Sequence, residues 1–205
     1  MDVAFHWLAA LQPEAKPASR PVNRVPLHEE RLALPGQRAV LLRPIAPRDA
    51  DAEQAFVGGL SLASRHKRFH VGLRQLSPSM LRQMTEIDHR DHVALVAEVL
   101  ADGDRAILPP VPLVADARYV RSIEQPDEAE FAIAVADDWQ SLGLGRTLMD
   151  RLARHAQHQG IRALVGDVLP ENRRMLVLMR GLGAHTRPHP DGPQLVQVVY
   201  ELTTG

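Results

Sequence analysis

Cysteine is absent from the whole 205-residue sequence. That one absence excludes disulfides, thiolate metal sites and a cysteine nucleophile together, and a cytoplasmic location fits it best. A charge excess is lacking too: 24 Lys and Arg stand against 25 Asp and Glu, a formal net charge of −1. Such a chain has no global field to draw in nucleic acid or an anionic membrane, so its partner is expected to be small or locally recognised. No apolar run approaches the roughly 18 residues needed to span a bilayer, and the opening MDVAFHWLAALQPEAK lacks the positive start and apolar core of an export signal. The expectation is a soluble, unexported protein with neither nucleic acid nor membrane as partner. Internal repeats and low-complexity tracts are also missing.

What is present is 45% hydrophobic residues, enough for one packed domain. Five of the sixteen prolines lie before residue 36, alternating with polar residues, so 1–36 reads as an arm or linker and 37–205 as the domain. Phe5, Trp7, Leu8 and Leu11 in the arm have the spacing of a short sticky helix. It has two readings, packing back on its own domain or a homodimer contact.

From Gln37 the pattern is regular. RAVLLRPI (38–45) reads as a strand, Pro47 opens a helix running toward Gly58 and Gly59, and a second helix follows Ser61. A third starts with Ser77 as N-cap and Pro78 in its first turn. Strands at 92–100, 112–120 and 129–137 follow, with connections that suit antiparallel hairpins. Leu148, Met149, Leu152, Ala153 and Ala156 then keep one apolar helical face, stopped by Gly160. A strand at 162–170, a helix capped by Asn172 and ending at Gly183, and a strand at 195–202 close the sequence. This order describes an α/β fold around a mixed sheet.

The stretch QSLGLGRTLMDRL (140–152) sets two glycines one residue apart before the long helix. Unpaired amides and the positive end of the dipole make a helix start an anion site, and glycines let a phosphate approach closely. A tight strand-to-helix connection is the plainer reading of the same residues. A dinucleotide fingerprint would need a third glycine where Leu148 stands and glycines right at a strand end, whereas Asp137 to Leu142 intervene.

Gln140-Ser-Leu-Gly143-Leu-Gly145 has the form Gln/Arg-x-x-Gly-x-Gly/Ala, with a strand before it and helix, strand and an Asn-started helix after. It resembles the GCN5-related N-acetyltransferase (GNAT) family over roughly residues 37–202, most specifically in AEFAIAVADDWQSLGLGRTLM and PENRRMLVLMRGLGA. LLRPIAPRDADAEQAFVGGLSLASRHKRFH, with the segment after it, is similar to the acetyltransferase module of bacterial Pat-type protein lysine acetyltransferases. The resemblance implies a mostly antiparallel central sheet flanked by helices on both faces, and acetyl-CoA as cosubstrate. It further implies an amine acceptor, with a protein lysine foremost and a small-molecule amine or a non-catalytic acyl-CoA sensor as alternatives.

By the same resemblance, main-chain amides of Gln140, Ser141, Leu142, Gly143, Leu144, Gly145 and Arg146 wrap the pyrophosphate, with Gly143 and Gly145 giving room. Val135 and Ala136 offer main-chain groups to the pantetheine arm, Val135 also to the thioester carbonyl, and Asn172 approaches the same arm or simply caps its helix. Glu130 is the candidate general base. A lysine amine with pKa near 10.4 costs on the order of 4–5 kcal/mol to deprotonate at pH 7, and a carboxylate in a partly dry cleft can take that proton. Alternation puts Glu130 on one face with Ala132, Ala134 and Ala136, and Phe131, Ile133 and Val135 on the other. Where many relatives carry a tyrosine that protonates the leaving thiolate, this sequence has Met179, which opens the sensor reading. The ten histidines include pairs 66/70, 155/158 and 185/189, but no His-Glu-x-x-His or nearby carboxylate cluster, so no metal is expected. SRHKRFH (64–70) reads as a solvated helix face or a local basic patch.

Overall fold

The computed structural model describes residues 27–70, 73–100 and 111–202. Eight strands form one sheet: β1 (Glu30–Leu34), β2 (Arg38–Pro44), β3 (His92–Val99), β4 (Leu113–Arg121), β5 (Glu128–Val135), β6 (Ala163–Val168), β7 (His185–Pro188) and β8 (Val196–Glu201). Their spatial order is β1-β2-β3-β4-β5-β6-β8-β7, and β5–β6 is the parallel pair. Among the described residues five α-helices accompany them: α1 (Ala50–Gly59), α2 (Leu62–Phe69), α3 (Pro78–Thr85), α4 (Leu144–His158) and α5 (Arg173–Gly181). The architecture is the mixed, mostly antiparallel α/β sandwich expected.

Period-two alternation assigns the two layers. Val93 and Leu95 of β3, Ala117 and Tyr119 of β4, and Phe131 and Ile133 of β5 join one buried cluster with Leu148, Met149 and Leu152 of α4. Ala94 and Val96 face the opposite way, onto Phe56 and Val57 of α1, Phe69 of α2 and Met84 of α3. The apolar face foreseen for α4 is the buried one, since Leu148, Met149, Leu152 and Ala156 are fully buried. Ser61 and Ser77 cap α2 and α3 by accepting from the amides of Ser64 (3.1 Å) and Met80 (3.2 Å), and Pro78 sits in the first turn of α3.

Two strands escaped the sequence reading. β1 lies inside the segment read as linker and pairs with β2 from Glu30–Leu42 to Leu34–Arg38, so the boundary at residue 36 cuts a hairpin. Its alternating ERLAL was overshadowed by the flanking prolines. β7 is a four-residue, wholly exposed edge strand whose HTRP sequence has no apolar alternation; pairing to β8 alone defines it. The proposed N-terminal helix around Trp7 lies outside the described residues.

Candidate active site

β5 pairs with β4 along its whole length but with β6 over three rungs only, Glu128–Ala163, Ala129–Leu164 and Glu130–Val165. At the next rung the Phe131 ring lies on Gly166: a Cβ built at 166 would stand 2.6 Å from Phe131 Cε1. The ring occupies the space that a side chain at position 166 would need, and the strands diverge from there. Gly166→Ala is therefore expected to destabilise the domain by about 1–3 kcal/mol. Chemical denaturation measures it, and adding Phe131→Leu should recover part of the loss, whereas strict additivity of the two changes would deny the contact.

The divergence strands main-chain groups. Ser122 donates to the Glu128 carbonyl (2.9 Å) and Ala136 to the Val114 carbonyl (2.8 Å), so even-numbered β5 residues turn their main chain to β4. Odd-numbered Phe131, Ile133 and Val135 turn theirs into the gap. The Val135 carbonyl already accepts from Gln140 Nε2 at 3.0 Å, which leaves its N–H facing the gap. Ala136 does not: its amide is spent on Val114, and the second available pair of groups belongs to Ile133. The same alternation that placed Glu130 was enough to find this.

A groove of about 530 Å³ continues from the gap, lined by Ile133, Val135, Gln140, Gly143, Asn172 and Leu178, among others. At its mouth the chain enters α4 through Ser141 (φ 63°) and Gly143 (φ 87°), two left-handed residues that curl the loop around its own amides. Gly143 is demanded by its backbone angle. Gly145 is different: a Cβ there would meet Leu178 Cδ2 at 3.5 Å, ordinary contact, so its bareness keeps the groove open instead of relieving a clash. Ser141 and Arg146 line the groove as well, while Leu144 buries its side chain in the core and Leu142 stays off the lining. Asn172 caps its helix by accepting from the Met175 amide (3.4 Å), and it also lines the groove.

Asp137 clasps this loop to α2. Its carboxylate accepts from Ser61 N (3.0 Å), Ser61 Oγ (2.9 Å) and Ser64 Oγ (2.8 Å). Partial burial alone would raise its pKa, but these bonds outweigh that and hold it below the usual carboxylate range.

Beyond Ile133 the groove runs into a second cavity, where Glu130 of β5 and Asp167 of β6 lie on the two arms of the divergence. Burial, reinforced by the negative charge of Asp167 and opposed by Arg68, pushes the Glu130 carboxyl up to about 7. His189 Nε2 stands 3.1 Å from Asp167, and Gln197 Nε2 donates to it at 3.3 Å.

SRHKRFH is a solvated face only in part: His66 and Lys67 are exposed, with Lys67 lining the groove, whereas its two arginines are buried. Arg65 turns inward to the Leu60 carbonyl, and Arg68 reaches under the helix to Asp116 at 3.8 Å. Asp116 is held by Arg118 (Nη2 2.7 Å), whose Nη2 also lies 3.8 Å from Glu53 Oε1. All four charged groups are buried. Burial and the neighbouring Asp116 push the Glu53 carboxyl well above the usual carboxylate range. The sequence signal for this cluster is Asp116 and Arg118, two charges with strand spacing in an otherwise apolar run.

The histidine pairs do not meet over a common ligand. His155 bonds Tyr119 (2.8 Å), His158 bonds the Arg154 carbonyl (2.6 Å), and no group of three or more potential metal ligands occurs among the described residues. Met179 is fully buried in the core. That position holds up the α5 face here, and no phenol lines the groove.

A left-handed phosphate loop, an open strand edge of the right parity and a carboxylate at the far end make up the layout of an acyltransferase that takes a thioester of coenzyme A. The chain belongs to the acetyltransferase (GNAT) family, whose sequence profile matches residues 78–184. It is an acetyltransferase with acetyl-CoA as cosubstrate and an amine as acceptor. It is 34% identical to an acetyltransferase of Pseudomonas aeruginosa over 80% of this chain and 84% of that protein. It is 33% identical to the acetyltransferase Pat of Mycolicibacterium smegmatis over 70% of this chain, a match covering 40% of that longer protein. Among solved structures it superposes on the GNAT domain of S. lividans PAT with a TM-score of 0.75, at 27% identity, covering 87% of this chain and all of that one.

Proposed function

We propose that the protein acetylates the side-chain amine of protein lysines by direct attack on the bound thioester, with Glu130 as general base. The observation that carries the reading is Glu130 itself, a half-buried carboxyl at the divergence of β5 and β6 whose pKa is pushed up to about 7. A base must be ionised to accept a proton yet basic enough to want one, and a pKa near working pH balances the two. Glu130 takes the proton from the entering ammonium directly or through a water. The Val135 N–H, pointing into the gap, donates to the carbonyl oxygen as negative charge develops there. Gln140, Ser141, Gly143 and Arg146 hold the diphosphate at the mouth, and Asn172 flanks the arm between.

Lysine as acceptor is supported by the similarity to Pat-type proteins and by the two carboxylates, Glu130 and Asp167, that line the acceptor end and favour a cation there. No phenol lines the groove, so the leaving thiolate, a tolerable leaving group, takes its proton from water or from the nitrogen that attacked. The test is release of free CoA from acetyl-CoA with a panel of lysine peptides and small amines. Lysine peptides should turn over fastest, and kcat/KM should rise with pH through an acid limb near 7, because Glu130 works only when ionised. Preference for a small amine by a large margin would replace the acceptor, and a flat profile between pH 5.5 and 8 would remove Glu130 from its role.

A further inference from the structure

The buried ions behind the sheet have no part in acetyl transfer as described. Apolar side chains of the same volume commonly stabilise a protein as well or better. Their placement supplies a use. In the β4–β5 register Glu130 stands opposite Val120, Ala132 opposite Arg118 and Ala134 opposite Asp116, so Glu130, both alanines, Asp116 and Arg118 share one face. The two methyl side chains leave a trough beside Glu130, and Arg68 descends into it from α2. Of the four buried ions, Arg68 is the one that lines both the groove and the cavity containing Glu130.

We propose that Arg68 is the positioning residue of Glu130: seated on Asp116, its guanidinium supplies the fixed positive wall that keeps the Glu130 carboxylate in its proton-accepting form. Arg118 and Glu53 complete the seat from β4 and α1. Arg118 orients Asp116 through three hydrogen bonds, from Nε at 3.2 and 3.1 Å and from Nη2 at 2.7 Å, and donates to the Met84 carbonyl at 3.1 Å. Glu53 meets Arg118 from α1, with Oε1 at 3.8 Å from its Nη2. The other charged or titratable groups facing Glu130 are Lys67 and His70 from α2 and Asp167 from β6, the last with His189 on its far side. Asp167 and Arg68 act on the Glu130 carboxyl in opposite directions, the first raising its pKa and the second lowering it. Burial lowers Arg68 to about 10, which leaves it a cation throughout the working range.

The inference rests on Glu130 being the base, and the pH dependence of kcat/KM separates the two ideas. A merely structural arginine, once replaced, lowers activity equally at every pH. A positioning arginine moves the acid limb. In Arg68→Gln the limb should move up by about one pH unit, an approximately tenfold loss below the limb with a much smaller loss at pH 9. Arg68→Lys, which keeps the charge on a shorter reach, should move it in the same direction by less and recover most of the activity at neutral pH. Far-ultraviolet circular dichroism identifies which variants fold. A limb coincident with wild type in whichever of the two folds overturns the proposal. Turnover and limb both surviving in Glu130→Gln would overturn the base assignment and this inference with it, whereas a limb abolished in Glu130→Gln but unmoved in the Arg68 variants defeats the Arg68 proposal alone.

Discussion

Glu130→Gln is expected to lower kcat/KM for an amine acceptor by about 10²–10⁴-fold while leaving acetyl-CoA affinity within about threefold of wild type. The amide keeps the size of the side chain and its place on β5 but cannot accept the proton. The groove that holds the donor is built from Ile133, Val135 and the loop before α4, so binding has no reason to change. Free-thiol release gives the rate, and calorimetric titration gives the affinity. A second readout follows from the raised pKa. Glu130 goes from 4.5 in the unfolded chain to about 7 in the fold. Between those values the unfolded chain is ionised and the folded one is not, so this group lowers stability progressively as pH rises from 4.5 toward 7. Glutamine does not titrate. The melting temperature of the variant relative to wild type should therefore climb across that window, and a difference that stays flat would mean that Glu130 ionises normally.

Gly143→Val should abolish most donor binding. Its φ of 87° lies where a β-branched side chain is strained, at about 1–2 kcal/mol, and relief of that strain turns the amides of the loop away from one another. An affinity loss of at least about tenfold is expected, with the fold retained because no atom from elsewhere in the fold lies within 4 Å of the added Cβ. Thermal shift offers a direct measure. Acetyl-CoA at about 100 times the wild-type Kd adds about 2.7 kcal/mol to the wild type, and a tenfold weaker variant gains about 1.4 under the same conditions. Equal shifts in the two proteins would show that the loop does not hold the diphosphate.

The legible parts of this molecule are those in which one local pattern decides the outcome. The face of α4 follows from Leu148, Met149 and Leu152, the start of α3 from Ser77 and Pro78, and the position of Glu130 from strand parity. Parity also exposed the error at Ala136, which belongs to the β4 side of the strand. What stayed hidden depends on contacts distant in sequence. Arg68 looks like one more exposed base in SRHKRFH until Asp116, 48 residues later, draws it inward. Asp167 becomes part of the site because Phe131 and Gly166 force two strands apart, and nothing in RALVGDVLP announces that its glycine is a ledge for a ring. β7 is defined by β8, since its own four residues have no preference to display.

Most sheet proteins confine open hydrogen-bonding edges to their periphery and guard them there with charge, proline or brevity. Here such an edge lies in the interior, at Ile133 and Val135, walled by α2 on one side and α5 on the other. A second copy of the sheet is too wide to reach it. Only a slender, amide-bearing thread can complete the missing rungs, so the opening that makes the fold receptive to its donor also keeps the fold from sticking to itself.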